Sequence, residues 1–508
     1  MLKRCTVMTL CLVSFMGVDV AAAPKLVDAS IEDIQAMLSN GDISSVDLVQ
    51  WYTARIETYD QNGPNLNAIQ YSNPQALAQA QALDKERKVS GPRSLLHGIP
   101  LVIKDNYETI DAPTTAGSAI LADHWPKRDA EQVARLKQAG AIVLAKTNMH
   151  EFAYGWTTRG SAFGVTRNPY NPNRHPGGSS GGTGAAVSAN LATAGMGSDT
   201  CGSIRVPAAH NNLVGLRGTQ GLSSRSGIIP LSSSRDIGGP LARSVRDLAI
   251  LLDNTVGYDP LDSQTGESLG KIPASYLREL KKLDLTHLRI GVLNDWFGPD
   301  KAVGSANNAV RSVLEKLQKA GAQVVKLSSP ELKALQIETT SPSAGFVDDY
   351  DLKRDLPAYL AQFPSLATLS FADLTNDSRL EKEVSKLWHN ILNRSFDSHT
   401  TYLQRHADGR LMRQRLLTLM SSNELDVLVY PTATEEALPL GKEQTHFNCR
   451  LAPASGLPAI SVPAGFGRQG LPVAIELLAE PWAEQKLLNL AYTIEQVAPA
   501  RQAPKLTP

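Results

Sequence analysis

Ala130-Glu131-Gln132-Val133-Ala134-Arg135-Leu136-Lys137-Gln138-Ala139-Gly140-Ala141-Ile142-Val143-Leu144-Ala145 decides the fold class. Residues 130–139 carry apolar side chains at helical spacing. Gly140 then stops the helix, because glycine adopts the left-handed backbone that ends many helices. The apolar run 141–145 that follows is too short for a helix and is expected to be a buried strand. The same grammar recurs further along: Ala309 to Ala320, then Gly321, then Val324-Val325. Leu288 to Leu293, Val427 to Tyr430, Ala459 to Val462 and Val473 to Leu478 add further strand candidates. Helix–strand alternation of this kind predicts an α/β protein whose sheet is covered on both faces. The two helix–Gly–strand units share grammar rather than descent, and no internal repeat is visible.

Two glycine-rich loops suggest chemistry. One is Gly177-Gly178-Ser179-Ser180-Gly181-Gly182. The other is Asp199-Thr200-Cys201-Gly202-Ser203-Ile204-Arg205, one short apolar segment later. Glycines around a serine leave backbone amides unblocked, as an oxyanion site requires. Neither loop contains histidine, so a Ser-His-Asp arrangement has no local support. A serine nucleophile still needs a base. Lys104, directly after the apolar run Ile99 to Ile103 and before Asp105-Asn106, is the best candidate, because a dry environment lowers a lysine's pKa. Each residue also has a plainer reading. Ser203 fits an ordinary turn. Ser179 fits the N-cap of a helix entering Ala185-Ala186-Val187. Lys104 fits a solvated strand end paired with Asp105.

Taken together these stretches resemble the amidase signature family of serine hydrolases. The resemblance runs in order through most of the chain: His97-Gly98-Ile99-Pro100, Lys146 to Ala153, Ser161 to Gly164, Asn168-Pro169-Tyr170, and Pro176 to Gly182. It continues through Arg205 to Ala208, Val214 to Arg217, Gly239 to Ser244 and Gly456 to Gly465. It implies one large mixed β-sheet between helix layers. It also implies a Ser-Ser-Lys triad: Ser203 as nucleophile, Ser179 as the bridging serine after a cis peptide bond, and Lys104 as base. Ser180 is a rival for the bridging role, and the family register favours Ser179. Backbone amides of Thr200, Cys201, Gly202 and Ser203 would form the oxyanion hole. Asp199 and Arg205 would shape the loop. Cys201 departs from the family, which usually has Gly or Ala there, and narrows the expected pocket. Cys449 precedes the Gly456-Leu457-Pro458-Ala459 segment, which borders the active site in the family. A Cys201–Cys449 disulfide is therefore expected on equal terms with two unpaired thiols, and requires Cα atoms within about 7 Å.

Composition narrows the partners. The 508 residues hold 50 acidic and 50 basic side chains, so neither nucleic acid nor an anionic membrane surface is an expected partner. Lys3 and Arg4 precede the mainly apolar run Val7 to Val18 and the small residues Ala21-Ala22-Ala23. That pattern reads as a signal peptide over residues 1–22, with cleavage after Ala22, and predicts an exported, periplasmic or secreted protein without a stable membrane anchor. Cys5 and Cys11 would leave with it. The two remaining cysteines exclude a cysteine-built structural zinc site. The scattered His97, His124, His150, His175 and His210 suggest no metal, and no cofactor is expected.

Residues 23–508 are expected to form one amidase domain. Within it about 260–425 is a more variable covering region, and Asp351 to Leu360 in that region resembles a helix seen in many family members. The function implied is hydrolysis of a non-backbone carboxamide on a small molecule, with ester cleavage by the same machinery. A non-catalytic binding protein on the same fold is the alternative from another class. The part of an amidotransferase that modifies aminoacyl-tRNA shares the motifs, but its substrate is cytosolic, which a signal peptide opposes. A homodimer is compatible with the sequence.

Overall fold

The computed structural model describes residues 26–508 apart from 299, 341–344, 395–397 and 445–446. The expected leader over residues 1–22, with Cys5 and Cys11, lies outside the described residues. The strands are β1 (Ile69–Ser72), β2 (Pro100–Lys104), β3 (Ile142–Thr147), β4 (Arg159–Gly160), β5 (Gly164–Val165), β6 (Ala194–Asp199) and β7 (Val214–Arg217). They continue with β8 (Ile237–Ala242), β9 (Arg289–Leu293), β10 (Gln323–Leu327), β11 (Val427–Pro431), β12 (Ala459–Phe466) and β13 (Pro472–Leu478). Strands β4 and β5 pair only with each other. The other eleven make one sheet in the order β1-β3-β2-β6-β8-β7-β12-β13-β11-β9-β10. Strand β2 runs parallel to both β3 and β6, whereas β8, β7, β12 and β13 pair antiparallel. The sheet is therefore mixed. Every residue of β2, β3, β6, β7, β8, β11 and β13 is buried, which requires cover on both faces.

The stretch 130–145 folds as its pattern predicts: helix Glu131–Gln138, Gly140 at φ +94°, then β3. In the second unit the helix starts earlier than its pattern suggests, running Asp300–Lys319, before Gly321 at φ +116° and β10. Strands β6 and β8 give no strand signal in the sequence, because their glycines mimic turns. In β6 those glycines serve packing. A Cβ on Gly195 would fall 2.6 Å from Thr183 Cγ2, and one on Gly197 would fall 2.8 Å from Ser180 Oγ. The helix Gly181–Ser188 can press against the sheet only where the strand has no side chain, and all eight of its residues are buried.

The stretch 260–425 is not uniformly a cover. It contributes β9 and β10 to the sheet edge, and helix Asp300–Lys319 packs on β12 and β13. Helix Phe346–Leu360 does belong to a separate apolar cluster, in which Leu352, Leu356 and Trp388 bury against Met149 and Phe152. This cluster clamps the covering helices onto the segment between β3 and the first glycine loop.

Candidate active site

Strand β2 ends on Lys104, inside the sheet, with no part of the side chain exposed. Asp105 does not pair with it; that carboxylate meets Lys146 Nζ at 3.1 Å. Lys104 Nζ instead lies 2.7 Å from Ser179 Oγ and 2.8 Å from Ser198 Oγ. Burial pushes its pKa down to about 7, and Asp236 and Asp199 pull in the opposite direction without prevailing. A lysine lowered this far has access near neutral pH to the neutral form that accepts a proton.

Ser179 follows a cis Gly178–Ser179 peptide bond and is fully buried. It is not the helix cap: Ser180 holds that position and makes no capping bond with its side chain. Ser180 Oγ faces β6, donating to Ser198 O at 3.2 Å. The two adjacent serines therefore point to different partners, and it is Ser179 that meets the lysine.

Ser203 sits between β6 and helix Arg205–His210. Its carbonyl accepts the Ser180 N–H at 3.3 Å, which ties the two serine loops together. With Thr200 and Cys201 it lines a cavity of about 440 Å³. Tyr154, Trp156, Leu231, Val384, Leu387 and Phe447 give that cavity apolar walls, and Asp348, Asp349, Glu383 and Arg450 add charge.

Asp199 holds the loop that carries Ser203 from beneath. It accepts the Gly202 N–H at 2.8 Å and the Ile204 N–H at 3.2 Å, and pairs with Arg205 and Arg217. Burial would raise its pKa, but the two guanidinium groups outweigh it and hold the carboxyl well below the usual carboxylate range. The family resemblance places Gly202 among the oxyanion donors. The structure corrects this: its N–H is spent on Asp199. Arg205 points away from the cavity, pairing with Asp199 and Glu476 and donating to Cys449 O at 2.9 Å.

Cys201 and Cys449 are joined as a disulfide, with Cα atoms 5.1 Å apart. Three further residues at the site escape the sequence reading. Ser198 is the second hydroxyl on Lys104. Asn106 donates to Ser198 Oγ at 3.0 Å. Asp236 is buried, takes the Thr200 hydroxyl proton in a hydrogen bond, and has its pKa raised by burial to about 6. Asn106 stands two residues after Lys104, and that nearness is a usable signal. Ser198 and Asp236 carry no local signal. Among the described residues no group of three or more metal-ligating side chains forms, and no helix is long and apolar enough to cross a membrane.

The chain is similar to known proteins over most of its length. The Amidase family profile matches residues 47–488. A glutamyl-tRNA(Gln) amidotransferase subunit from Ralstonia pickettii (strain 12J) is 35% identical over 498 residues, covering 92% of this chain and 97% of that protein. The native peptide amidase of Stenotrophomonas maltophilia superposes with a TM-score of 0.85 at 34% identity, covering 94% of this chain and 99% of that one. An amidase family protein from Bacillus anthracis str. Ames gives 0.85 at 29% identity, covering 97% and 96%. With the profile spanning most of its length, the chain belongs to the amidase signature family.

Proposed function

We propose that this protein hydrolyses a non-backbone carboxamide of a small molecule through a Ser-Ser-Lys acyl-enzyme mechanism. Neutral Lys104 takes the Ser179 proton as Ser179 takes that of Ser203. Ser203 Oγ attacks the amide carbon. The amides of Thr200, Cys201 and Ser203 meet the developing oxyanion, while Gly202 serves the loop through Asp199. The proton returns along the relay to the leaving nitrogen, the C–N bond breaks, and the amine departs. Water then attacks the ester carbonyl, giving its proton to Ser203 by the reverse path and releasing the acid. Every step uses side chains and backbone of this chain.

One observation carries the proposal: a fully buried lysine, its pKa brought down to about 7, within 2.7 Å of a buried serine hydroxyl. A binding protein has no use for that costly arrangement. The likeness to a solved peptide amidase supports including peptide amides, beside aryl and aliphatic ones, in a substrate panel. The leader pattern at residues 1–22 supports an exported protein, periplasmic or secreted, without a nucleic-acid partner.

The test is covalent labelling by a fluorophosphonate. The modification is expected on Ser203 by peptide mapping, and Ser203→Ala is expected to lose both label and turnover of every amide in the panel. Amide turnover surviving in Ser203→Ala would refute the mechanism.

A further inference from the structure

Residues 155–158 touch both serine loops at once. On one side Thr158 Oγ1 donates to Gly177 O at 2.7 Å and accepts the Gly181 N–H at 3.0 Å. Gly178 lies so close that a Cβ there would fall 2.7 Å from the Trp156 carbonyl carbon. On the other side the Trp156 indole N–H donates to Cys201 O at 3.0 Å.

That carbonyl shares a peptide unit with the Gly202 N–H, which donates to Asp199 Oδ1 at 2.8 Å. A peptide unit is planar and stiff, so gripping its oxygen and its N–H fixes the plane's orientation. The side chain at the same residue is anchored a third time, by the disulfide to Cys449. The unit thus held lies between the Cys201 and Ser203 amides. Its orientation sets where those two N–H groups point, and oxyanion donors are effective only when pre-aimed.

We propose that Trp156 is a positioning residue for the hydrolysis: its indole N–H locks the 201–202 peptide and so aims the neighbouring amides at the oxyanion. This rests on Ser203 being the nucleophile. Trp156 also has a plain second role as cavity wall, with its ring 5.6 Å from that of Phe447 and beneath the Arg450 guanidinium. The two roles separate by substitution. Trp156→Phe keeps an aromatic wall and removes only the donor.

The experiment measures inactivation of the full-length protein by a fluorophosphonate at several concentrations. In Trp156→Phe the maximal labelling rate of Ser203 is expected to fall about tenfold, as suits a lost brace rather than a lost oxyanion donor, with the half-saturating concentration unchanged. A residue that only lines the cavity would shift the half-saturating concentration and leave the maximal rate. Wild-type maximal rate in Trp156→Phe overturns the proposal. If that variant lacks the wild-type circular dichroism spectrum, Trp156→Met, also without a ring donor, takes its place under the same two outcomes. Wild-type protein that takes no label on Ser203 shows the catalytic reading itself to be wrong, before any Trp156 variant is measured, and overturns both.

Discussion

The floor of the cavity and its mouth are built on opposite principles. In the floor and the layer just beneath it, Lys104, Ser179 and Asp199 are fully buried, and their polar atoms are committed to named partners. Glycines there are required by contact: a Cβ on Gly182 would fall 2.1 Å from Asn148 O. In the mouth, charges are paired with one another and with residues behind the wall. Asp349 takes the Tyr154 hydroxyl at 2.6 Å and Arg394 at 2.7 Å, and Asp348 pairs with Arg235 at 2.9 Å. Leu387 on the same rim is 42% exposed. The floor tolerates almost no change of shape, because neighbours close in on every side. The mouth is lined by residues outside the sheet. On the proposed mechanism the chemistry rests on the floor, and substrate choice is expected to fall to the mouth.

The largest expected contrast comes from Lys104→Ala. Triad members act as a unit, so amide turnover should fall by about a thousandfold or more. Steady-state kcat/KM on any amide turned over by the wild type checks it. A loss of only a few-fold would place the base elsewhere and dissolve the distinction between floor and mouth.

Acidity should act on the floor next. Lys104 accepts a proton only when neutral, and burial has brought its pKa down to about 7. Activity is therefore present above that value and lost as pH falls through it, by about tenfold per unit well below it. A kcat/KM profile flat from about pH 8 to about pH 5 would remove the lysine from the mechanism.

The smallest effect belongs to the rim. Leu387→Ala removes a half-exposed apolar wall worth about 1 kcal/mol, so KM for a bulky acyl amide should rise about fivefold with kcat unchanged. The rate of Ser203 labelling by a small fluorophosphonate should not move. A fall in kcat of the same size would mean that the rim shapes the transition state as well as the entrance.

The same division explains what is legible in the sequence. Helix–Gly–strand units give the α/β class, because a buried strand and an amphipathic helix each have their own period. Lys104, Ser179 and Ser203 stand in stretches that resemble a known family strongly, and around Ser179 the glycines are demanded by close backbone: Gly178 by Trp156 and Gly182 by Asn148. Where glycine serves packing inside a strand, as at Gly195 and Gly197, the same signal misleads and hides β6. Gly202 shares a loop with the other expected oxyanion donors, which is why the resemblance includes it, yet an acceptor three residues back, Asp199, takes its N–H. Ser198, Asp236 and Trp156 are hidden for another reason. Each acts through a partner brought close only by the fold, and none is marked by its neighbours in the chain. The Cys201–Cys449 pairing stays open between bond and free thiols in the sequence, because the closeness of two Cα atoms 248 positions apart cannot be read without the sheet.

That distance along the chain has a consequence for synthesis. The loop that carries Ser203 is translated long before two of its supports: Cys449, 248 positions after Cys201, and Glu476 on β13, which shares Arg205 with Asp199. A ribosome that has finished the serines has made neither. No fragment ending before residue 476 contains the acid that completes the pairing of Arg205, and none ending before residue 449 contains the sulfur that fixes Cys201. The growing polypeptide thus carries Ser203 without these two supports until Glu476 on β13 has been made.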